Sequence, residues 1–170
     1  PFRDSAYQLV NFMISLLFGD ARDSGDKKIH IMNYKRFKKE FAPSADEAPI
    51  SSRKPEDYQT LFAGNIDDSF RIGLSITKKS LKLYSDFYSS DIIIASPLGL
   101  RMIIGADGDE ERNFDFLSSI EIAIFDQADV FLMQNWEHVL HIMKHLHLKP
   151  KETHDVDYTR VRPWSLELWG

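Results

Sequence analysis

The sequence predicts an α/β fold with an open, mainly parallel sheet and helices on both faces. Residues 91–96 (DIIIAS) and 120–125 (IEIAIF) are apolar runs of the kind that a parallel sheet buries on both faces. Each run is followed by a helical pattern, and strands and helices alternate along the chain. With 170 residues and 43% apolar side chains, we expect one domain with its own core.

The first elements are a helix, a strand and a second helix. Residues 4–18 follow the helical period, Asp4 and Ser5 can cap the start, and Gly19 can end it. Residues 28–32 (KIHIM) form a short strand candidate. The helix after it, 34–41, is basic. The apolar positions expected to face the core of the first helix are Ala6, Leu9, Val10, Met13, Ile14 and Leu17.

The middle of the chain predicts a loop and a hairpin. Residues 42–56 are rich in Pro, Ser, Ala and charge without a period, which indicates a mobile surface loop, and the fold resumes near Tyr58. Residues 70–77 and 81–84 alternate apolar and polar side chains around Lys78 and Lys79. This pattern favours a β-hairpin, which we expect as an insertion in the sheet.

The last third continues the strand and helix alternation. After 91–96, Pro97 starts a short helix through Arg101 to Ile104, and 105–111 is an acidic loop. Residues 120–125 form the second buried strand, and 148–170 connect toward the remainder of the domain. Between them lies a long helix, 130–146, with an inner side made of Val130, Leu132, Met133, Trp136, Val139, Leu140 and Met143.

Composition limits the function classes. The net charge of −5 means that any RNA contact is made through local patches, since nucleic-acid affinity is mostly phosphate neutralisation. The absence of cysteine excludes disulfides and thiolate zinc sites, so nucleus or cytosol is expected. The apolar run 9–18 is too short for a bilayer, and no membrane role is expected. The chain starts Pro-Phe-Arg without a methionine, which suggests a domain truncated at its N-terminus.

Two strand ends carry side chains that could do chemistry. Ser96 and Asp126 each follow a predicted strand, where side chains face the ligand crevice of an α/β sheet. Asp126 could hold the magnesium of a nucleotide, but its neighbour is Gln127, whose amide orients water and cannot accept a proton. In the alternative interpretation, Asp126 and Asp129 cap the next helix. No G-x-x-x-x-G-K-[ST] phosphate loop is present in the chain, so no cofactor is expected.

Two further clusters allow opposing interpretations. Glu137, His141 and His145 recur at four-residue steps, as on a metal-binding face, but half-exposed histidines are the simpler interpretation and we expect no metal. The basic side chains of the second helix could contact RNA phosphates or an acidic partner, or form a solvated face. They are Lys35, Arg36, Lys38 and Lys39, preceded along the chain by Lys27 and Lys28.

Several motifs resemble DEAD-box RNA helicases. Residues 1–6 (PFRDSA) resemble motif Ia, 91–99 (DIIIASPLG) the strand and loop of motif Ib, and 126–129 (DQAD) motif II. Longer blocks, FAGNIDDSFRIG, FYSSDIIIASPLGLR, FDFLSSIE and DQADVFLMQNWEHVL, closely resemble the digestive organ expansion factor family, also called U-three small nucleolar RNA-associated protein twenty-five. They cover most of residues 62 to 141.

The resemblance implies a partial first RecA-like helicase domain over 1–170, without catalysis. It implies a nucleolar scaffold of the small-subunit processome, needed for pre-ribosomal RNA processing and 18S rRNA maturation. In motif II, Gln127 replaces the acid, with Asp126, Ala128 and Asp129 around it. After Ser96 and Pro97 the loop reads Leu-Gly-Leu instead of Gly-Arg. The implied RNA-facing candidates are Arg3, Ser96, Pro97, Gly99 and Arg101, with Lys35, Arg36, Lys38 and Lys39 added for their charge.

Three functions stay open on the sequence. The first is the helicase-like scaffold that docks processome proteins, with pre-ribosomal or small nucleolar RNA as a further partner. The second is half of an active ATP-dependent RNA helicase, and the third is a protein-only interaction module. An isolated piece with an open sheet edge could also self-associate.

Overall fold

The computed structural model describes residues 1–19, 30–44, 51–109 and 112–154. These residues fall into two compact units, one ending at Ser96 and one starting at Pro97. The sheet belongs to the first unit. Its elements are α1 (Arg3–Phe18), β1 (His30–Met32), α2 (Tyr34–Phe41), α3 (Glu56–Leu61), β2 (Arg71–Ile76), β3 (Ser80–Leu83) and β4 (Ile92–Ala95).

The four strands form an open sheet in the order β1-β3-β2-β4. The α/β class with an open sheet is confirmed, but in the described residues the sheet is mixed and not mainly parallel. Only β1 and β3 pair in parallel, whereas β2 pairs antiparallel with both β3 and β4. The connection from Ile76 to Ser80 explains one antiparallel pair, since a parallel crossover needs a dozen residues or more.

The predicted β-hairpin forms, and it occupies the centre of the sheet. Ser75 lies opposite Lys82 across the hairpin, and Ile72 lies opposite Ile94 on the other side of β2. The hairpin was expected as an insertion, which is wrong for this sheet because both its strands have a second neighbour. It therefore supplies the strands on which the rest of the first unit packs.

Both long helices of the first unit pack on one face of the hairpin. Ile72 and Leu74 of β2 share a face because side chains alternate along a strand, and Leu81 and Leu83 of β3 do the same. These residues form one core cluster with Ala6, Val10 and Ile14 of α1, and with Phe37, Phe41 and Phe70. The helix of 34–41 is confirmed at the predicted bounds, with its two phenylalanines buried.

The predicted first helix is confirmed within one residue of its start. The capping prediction for Asp4 and Ser5 is wrong: the residue before the helix is Phe2, and no side chain caps it. The carboxylate of Asp4 instead accepts a hydrogen bond from Gln8 Nε2 at 2.6 Å. Of the apolar positions expected inside, Leu9 and Leu17 are exposed.

The regular elements of the second unit are all helices within its described residues. It contains α4 (Pro97–Ile104), α5 (Ala128–Phe131), α6 (Trp136–His145) and a 3₁₀ helix at Asp115–Ser119. The short helix after Pro97 is thereby confirmed, and α4 packs against α6. The carboxylate of Asp115 is almost fully buried, and it accepts backbone hydrogen bonds from Lys151 at 2.9 Å and Glu152 at 3.1 Å.

The prediction of a buried strand at 120–125 is wrong. This stretch forms neither a helix nor a strand and pairs with no described strand, and Ile122 and Ile124 are 78% and 84% exposed. A strand is stable only when a neighbour satisfies its backbone N–H and C=O groups. The apolar composition of this run is therefore not sufficient to form a strand, because the described residues supply no neighbouring strand for it.

The long helix predicted over 130–146 is divided into α5 and α6. Asn135 interrupts it, since its side-chain oxygen accepts a hydrogen bond from Glu137 N at 3.0 Å and so starts a new helix. Val130 and Val139 are buried as predicted. The other residues expected on the inner side are exposed: Leu132, Met133, Trp136, Leu140 and Met143.

Some predictions lie outside the described residues. These are Lys27 of the basic run, 28–29 of the first strand, 45–50 of the expected mobile loop, 110–111 of the acidic loop, and 155–170 of the connecting segment. Among the residues that are described, no helix has the length and apolar character needed to cross a membrane.

Candidate functional site

Arg3 joins three segments of the first unit. Its Nη1 donates to the carbonyl of Glu40 at 3.2 Å, and its Nη2 donates to the carbonyl of Ser69 at 3.1 Å. Its Nε lies 3.1 Å from Asp67 Oδ2, an ion-pair distance without hydrogen-bond alignment. The guanidinium thus ties the start of α1 to the end of α2 and to the chain entering β2. Its expected contact with RNA stays a prediction.

Arg36, Glu40 and Tyr84 form a bonded cluster beside Arg3. Arg36 Nε donates to Glu40 Oε1 at 2.8 Å, and the Tyr84 hydroxyl donates to Glu40 Oε2 at 2.7 Å. The guanidinium carbon of Arg36 lies 3.9 Å from the centre of the Tyr84 ring. Burial opposes ionisation of Glu40, but the hydrogen bonds from Arg36 and Tyr84 outweigh it, so the pKa of Glu40 is lowered.

The backbone at Tyr84 is strained to make this cluster. Its φ of 60° lies in the left-handed region, which a large side chain seldom adopts. Asn33, also at a positive φ of 64°, donates from Nδ2 to the Leu83 carbonyl at 2.8 Å. This bond holds the end of β3 against the start of α2. Strain of this kind persists only where surrounding contacts impose it, and it is concentrated at functional sites.

A cleft of 330 Å³ opens at this cluster, where β2 begins and β3 ends. Three arginines line it, Arg3, Arg36 and Arg71, with Glu40 as the carboxylate. Within the part of the chain that the structure describes, the Arg71 guanidinium is exposed and has neither a hydrogen bond nor an ion pair. The lining is completed by Phe41, Ser69, Phe70, Ile72, Gly73, Tyr84, Ser85 and Phe87.

The wall of the cleft after Tyr84 depends on Gly73. Ser85 N donates to the Gly73 carbonyl at 2.9 Å, so this segment runs directly against β2. A Cβ atom added at Gly73 would lie 2.5 Å from the Ser85 carbonyl oxygen and would collide with the Ser90 hydroxyl. Glycine therefore permits the close approach that forms this side of the cleft.

Ser96 ends the first unit in a buried position. Only 1% of it is exposed. Its hydroxyl lies 3.3 Å from both the backbone N and the backbone O of Phe70. It does follow a strand, β4, as predicted. Its side chain pins β4 to the start of β2, and its contact with RNA stays a prediction.

The other motif Ib candidates lie on α4 in the second unit. Pro97 begins the helix, and Gly99 is buried within it. Arg101 Nη1 donates to the Gly105 carbonyl at 2.6 Å and lies 2.8 Å from His141 Nε2. Its guanidinium thus holds the end of α4 to α6. By contrast, the candidates on α2 face solvent: Lys35, Arg36, Lys38 and Lys39.

The D-Q-A-D stretch lies at the surface of the second unit. Asp126, Gln127, Ala128 and Asp129 are all exposed. Gln127 precedes α5 with a φ of 54°, and no side chain makes a capping hydrogen bond there. The helix-capping interpretation of Asp126 and Asp129 is therefore wrong. Because 120–125 is not a strand here, the expected placement of Asp126 at a strand end is also wrong.

The histidines on α6 contact arginines. His141 Nε2 faces Arg101, and His145 Nε2 lies 2.7 Å from Arg112 Nη2. Their ring centroids lie 4.4 Å apart, with the two ring planes tilted by 39°. His141 is half-buried and His145 buried, so the expectation of half-exposed histidines holds only for the first. In the described residues, no three His, Cys, Asp or Glu side chains are grouped to hold a metal.

We expect His141 to make the second unit sensitive to mild acid. Burial, followed by the charge of Arg101 and by His145, lowers the pKa of His141 in the folded state. The unfolded chain therefore takes up a proton first, and stability should fall as the pH drops below about 6.5. Thermal unfolding between about pH 7.5 and 5.5 measures this. His141→Gln, which keeps an acceptor for Arg101, should reduce the pH dependence; an unchanged slope would contradict the assignment.

Sequence reasoning missed the cluster at the cleft. The spacing of Arg36 and Glu40 is that of an ion pair on one helix face and could have indicated them. Tyr84 carried no signal, since its role depends on a positive φ after β3. Arg71 was hidden in an alternating strand pattern. Its importance depends on the neighbours that the fold brings beside it.

The matching family model and the similar curated proteins point to the same family. The model of the UTP25, NTP hydrolase-like domain matches residues 1–170. The chain is 57% identical over its whole length to "U3 small nucleolar RNA-associated protein 25 homolog" of Xenopus tropicalis and 56% identical to that of Homo sapiens. It is 50% identical over 167 residues to "U3 small nucleolar RNA-associated protein 25" of Schizosaccharomyces pombe. No solved structure matches it significantly.

The chain spans 22% to 24% of the length of these relatives. The α/β sheet with its helices fits the RecA-like fold expected from an NTP hydrolase-like domain. The resemblance seen in the sequence motifs is confirmed, since both the domain match and the relatives cover essentially the whole chain. The chain therefore belongs to the UTP25 NTP hydrolase-like domain family.

Proposed function

We propose that the chain is a non-catalytic, helicase-like scaffold in a U3 small nucleolar RNA-associated protein of the nucleolar small-subunit processome. In this role it supports pre-ribosomal RNA processing and 18S rRNA maturation. The observation that carries the proposal is the match of the whole chain to proteins named for association with U3 small nucleolar RNA. Processome proteins and RNA would dock on its surfaces.

The D-Q-A-D stretch supports the absence of catalysis. Hydrolysis needs a group that takes a proton from the attacking water, and the Gln127 amide has no basic site for it. The stretch is exposed at the start of a four-residue helix, and the preceding residues 120–125 form no strand. These features support a helicase-like surface without a preorganised nucleotide site.

The two exposed aspartates favour a second candidate function, that of an active ATP-dependent helicase. Asp126 and Asp129 are both exposed, and their carboxylate oxygens are ligands of the kind that magnesium binds directly or through water. An active ATP-dependent helicase would need them. The substitution Asp126→Ala therefore separates the two proposals.

We expect ATP turnover by the full-length protein, with or without pre-ribosomal RNA, to equal that of Asp126→Ala. The physical reason is that a site without a proton acceptor does not hydrolyse ATP, so removal of the Asp126 carboxylate cannot lower the hydrolysis rate further. Phosphate release measured side by side gives the answer. Turnover that RNA stimulates and Asp126→Ala abolishes would establish the helicase instead.

Cells provide the matching test of the scaffold. After depletion of the endogenous protein, Asp126→Ala should restore mature 18S rRNA and co-precipitate U3 small nucleolar RNA as well as the wild type. Failure of the wild-type protein itself to co-precipitate U3 RNA would overturn the processome assignment.

A further inference from the structure

The cleft of 330 Å³ in the first unit is lined by cationic side chains that can bind an anion and by one carboxylate that can accept a hydrogen bond. Its three arginines outnumber the lining carboxylate, Glu40, and this local excess is set against a chain of net charge −5. Arg3 is engaged by two carbonyls and Asp67. The groups left for a ligand are therefore on Arg36 and Arg71.

Both of these arginines have donors to offer. Arg36 uses Nε for Glu40, and in the described residues it makes no other hydrogen bond, so the donors on its two terminal nitrogens remain. Its guanidinium is held in place by the Tyr84 ring below it. Arg71 is exposed and unengaged within the described chain. A planar guanidinium matches a phosphate through two parallel hydrogen bonds.

Resting on the proposed function, we propose that this cleft binds one nucleotide unit of single-stranded RNA, with Arg36 and Arg71 on its phosphates and Glu40 facing a ribose hydroxyl. Its volume is at the lower end of small-ligand pockets, which suits one nucleotide and excludes a duplex. The exposed Lys35, Lys38 and Lys39 on α2 extend the positive surface for the neighbouring phosphates.

Glu40 favours RNA over an acidic peptide. Each of its oxygens accepts one hydrogen bond, from Arg36 or from Tyr84, and retains a second lone pair. An ionised peptide carboxylate has no hydrogen-bond donor to offer to this group. A ribose 2′-hydroxyl can donate to it, which also distinguishes RNA from DNA. Arginines beside aromatic side chains, here Tyr84 and Phe87, are typical of clefts that hold single strands.

The test uses the full-length protein and a fluorescein-labelled RNA of about ten nucleotides, with DNA of the same sequence beside it. Fluorescence anisotropy gives the affinities. Arg71→Ala should weaken RNA binding about tenfold, as expected for a lost charge-assisted hydrogen bond, and reduce the salt slope by about 0.7. The wild type should bind the RNA more tightly than the DNA.

Arg53→Ala is the matched control, since Arg53 is an exposed arginine outside the cleft. It should leave the affinity within about twofold of the wild type, because distant surface charges are screened. Arg71→Lys should recover part of the loss by restoring the charge. Equal losses for Arg71→Ala and Arg53→Ala would overturn the cleft assignment, as would displacement of the RNA by an oligoglutamate peptide as readily as by unlabelled RNA.

Failure of this proposal is distinguishable from failure of the proposed function. If the wild-type protein binds neither oligonucleotide, the cleft proposal falls, while co-precipitation of U3 RNA still decides the processome role by itself. If Arg71→Ala loses RNA affinity in vitro and the wild type does not co-precipitate U3 RNA, the cleft stands and the processome role falls.

Discussion

Replacing Phe37 by alanine is expected to lower the free energy of unfolding of the first unit by about 3–5 kcal/mol. Phe37 is fully buried in α2, with 0% exposed. Its ring centre lies 4.7 Å from that of Phe41 and 5.6 Å from that of Tyr7 on α1. The substitution removes these contacts and leaves a cavity between both helices and the sheet. Thermal or urea unfolding measures the loss.

Phe12→Ala provides the control for this prediction. Phe12 is also a helical phenylalanine, on α1, but it is 60% exposed. Its removal costs little, and we expect a change within about 0.5 kcal/mol, as for most surface substitutions. Similar losses for both variants would mean that the exposed side of α1 is covered in solution. They would contradict the packing described for the first unit.

Arg3→Ala is expected to destabilise the first unit by about 2–4 kcal/mol, because charge-assisted hydrogen bonds contribute more than neutral ones. The substitution leaves the carbonyls of Glu40 and Ser69 without their donor and Asp67 without its counter-charge. It also removes the cation 5.1 Å from the centre of the Phe41 ring. Unfolding of the variant beside Arg53→Ala, an exposed arginine in a turn, measures the effect.

This comparison also addresses the role that motif Ia implies for Arg3. If Arg3 mainly holds the fold, Arg3→Ala should lower the free energy of unfolding by the amount expected for its lost internal hydrogen bonds and ion pair. If Arg3 mainly contacts RNA, Arg3→Ala should bind RNA more weakly while its unfolding temperature stays near that of the wild type. The second outcome would contradict the structural role argued from the hydrogen bonds, and would support the helicase-like contact.

The local elements were predictable because their signals are local. The 3.6-residue period of 4–18, the alternation around Lys78 and Lys79, and the start at Pro97 each produced the element expected. Turn chemistry and periodicity act within a few residues, so no distant contact is needed to read them. The solvated face that the sequence allowed for the basic residues of α2 also has a local cause, because Phe37 and Phe41, four residues apart, form the buried face of that helix.

The run at 120–125 shows that local sequence signals do not determine strand pairing. Its composition is that of a buried strand, yet burial requires a partner that composition does not specify, and the described residues supply none. The division of 130–146 has a local cause in Asn135, whose capping side chain outweighed the apolar period. Asp126 was misplaced as a consequence of the first error, since its predicted position depended on the strand before it.

By itself, the sequence determined the α/β class, the first two helices, the hairpin, the short helix after Pro97 and the family. Only the tertiary structure decided that the sheet is mixed, that Ser96 is buried, that Arg3 serves as an internal tie, and that Arg36, Glu40 and Tyr84 share one cleft. The reason is physical. Periodicity and capping depend on neighbours within a turn or two, whereas strand pairing and side-chain clusters depend on contacts between residues far apart in the chain.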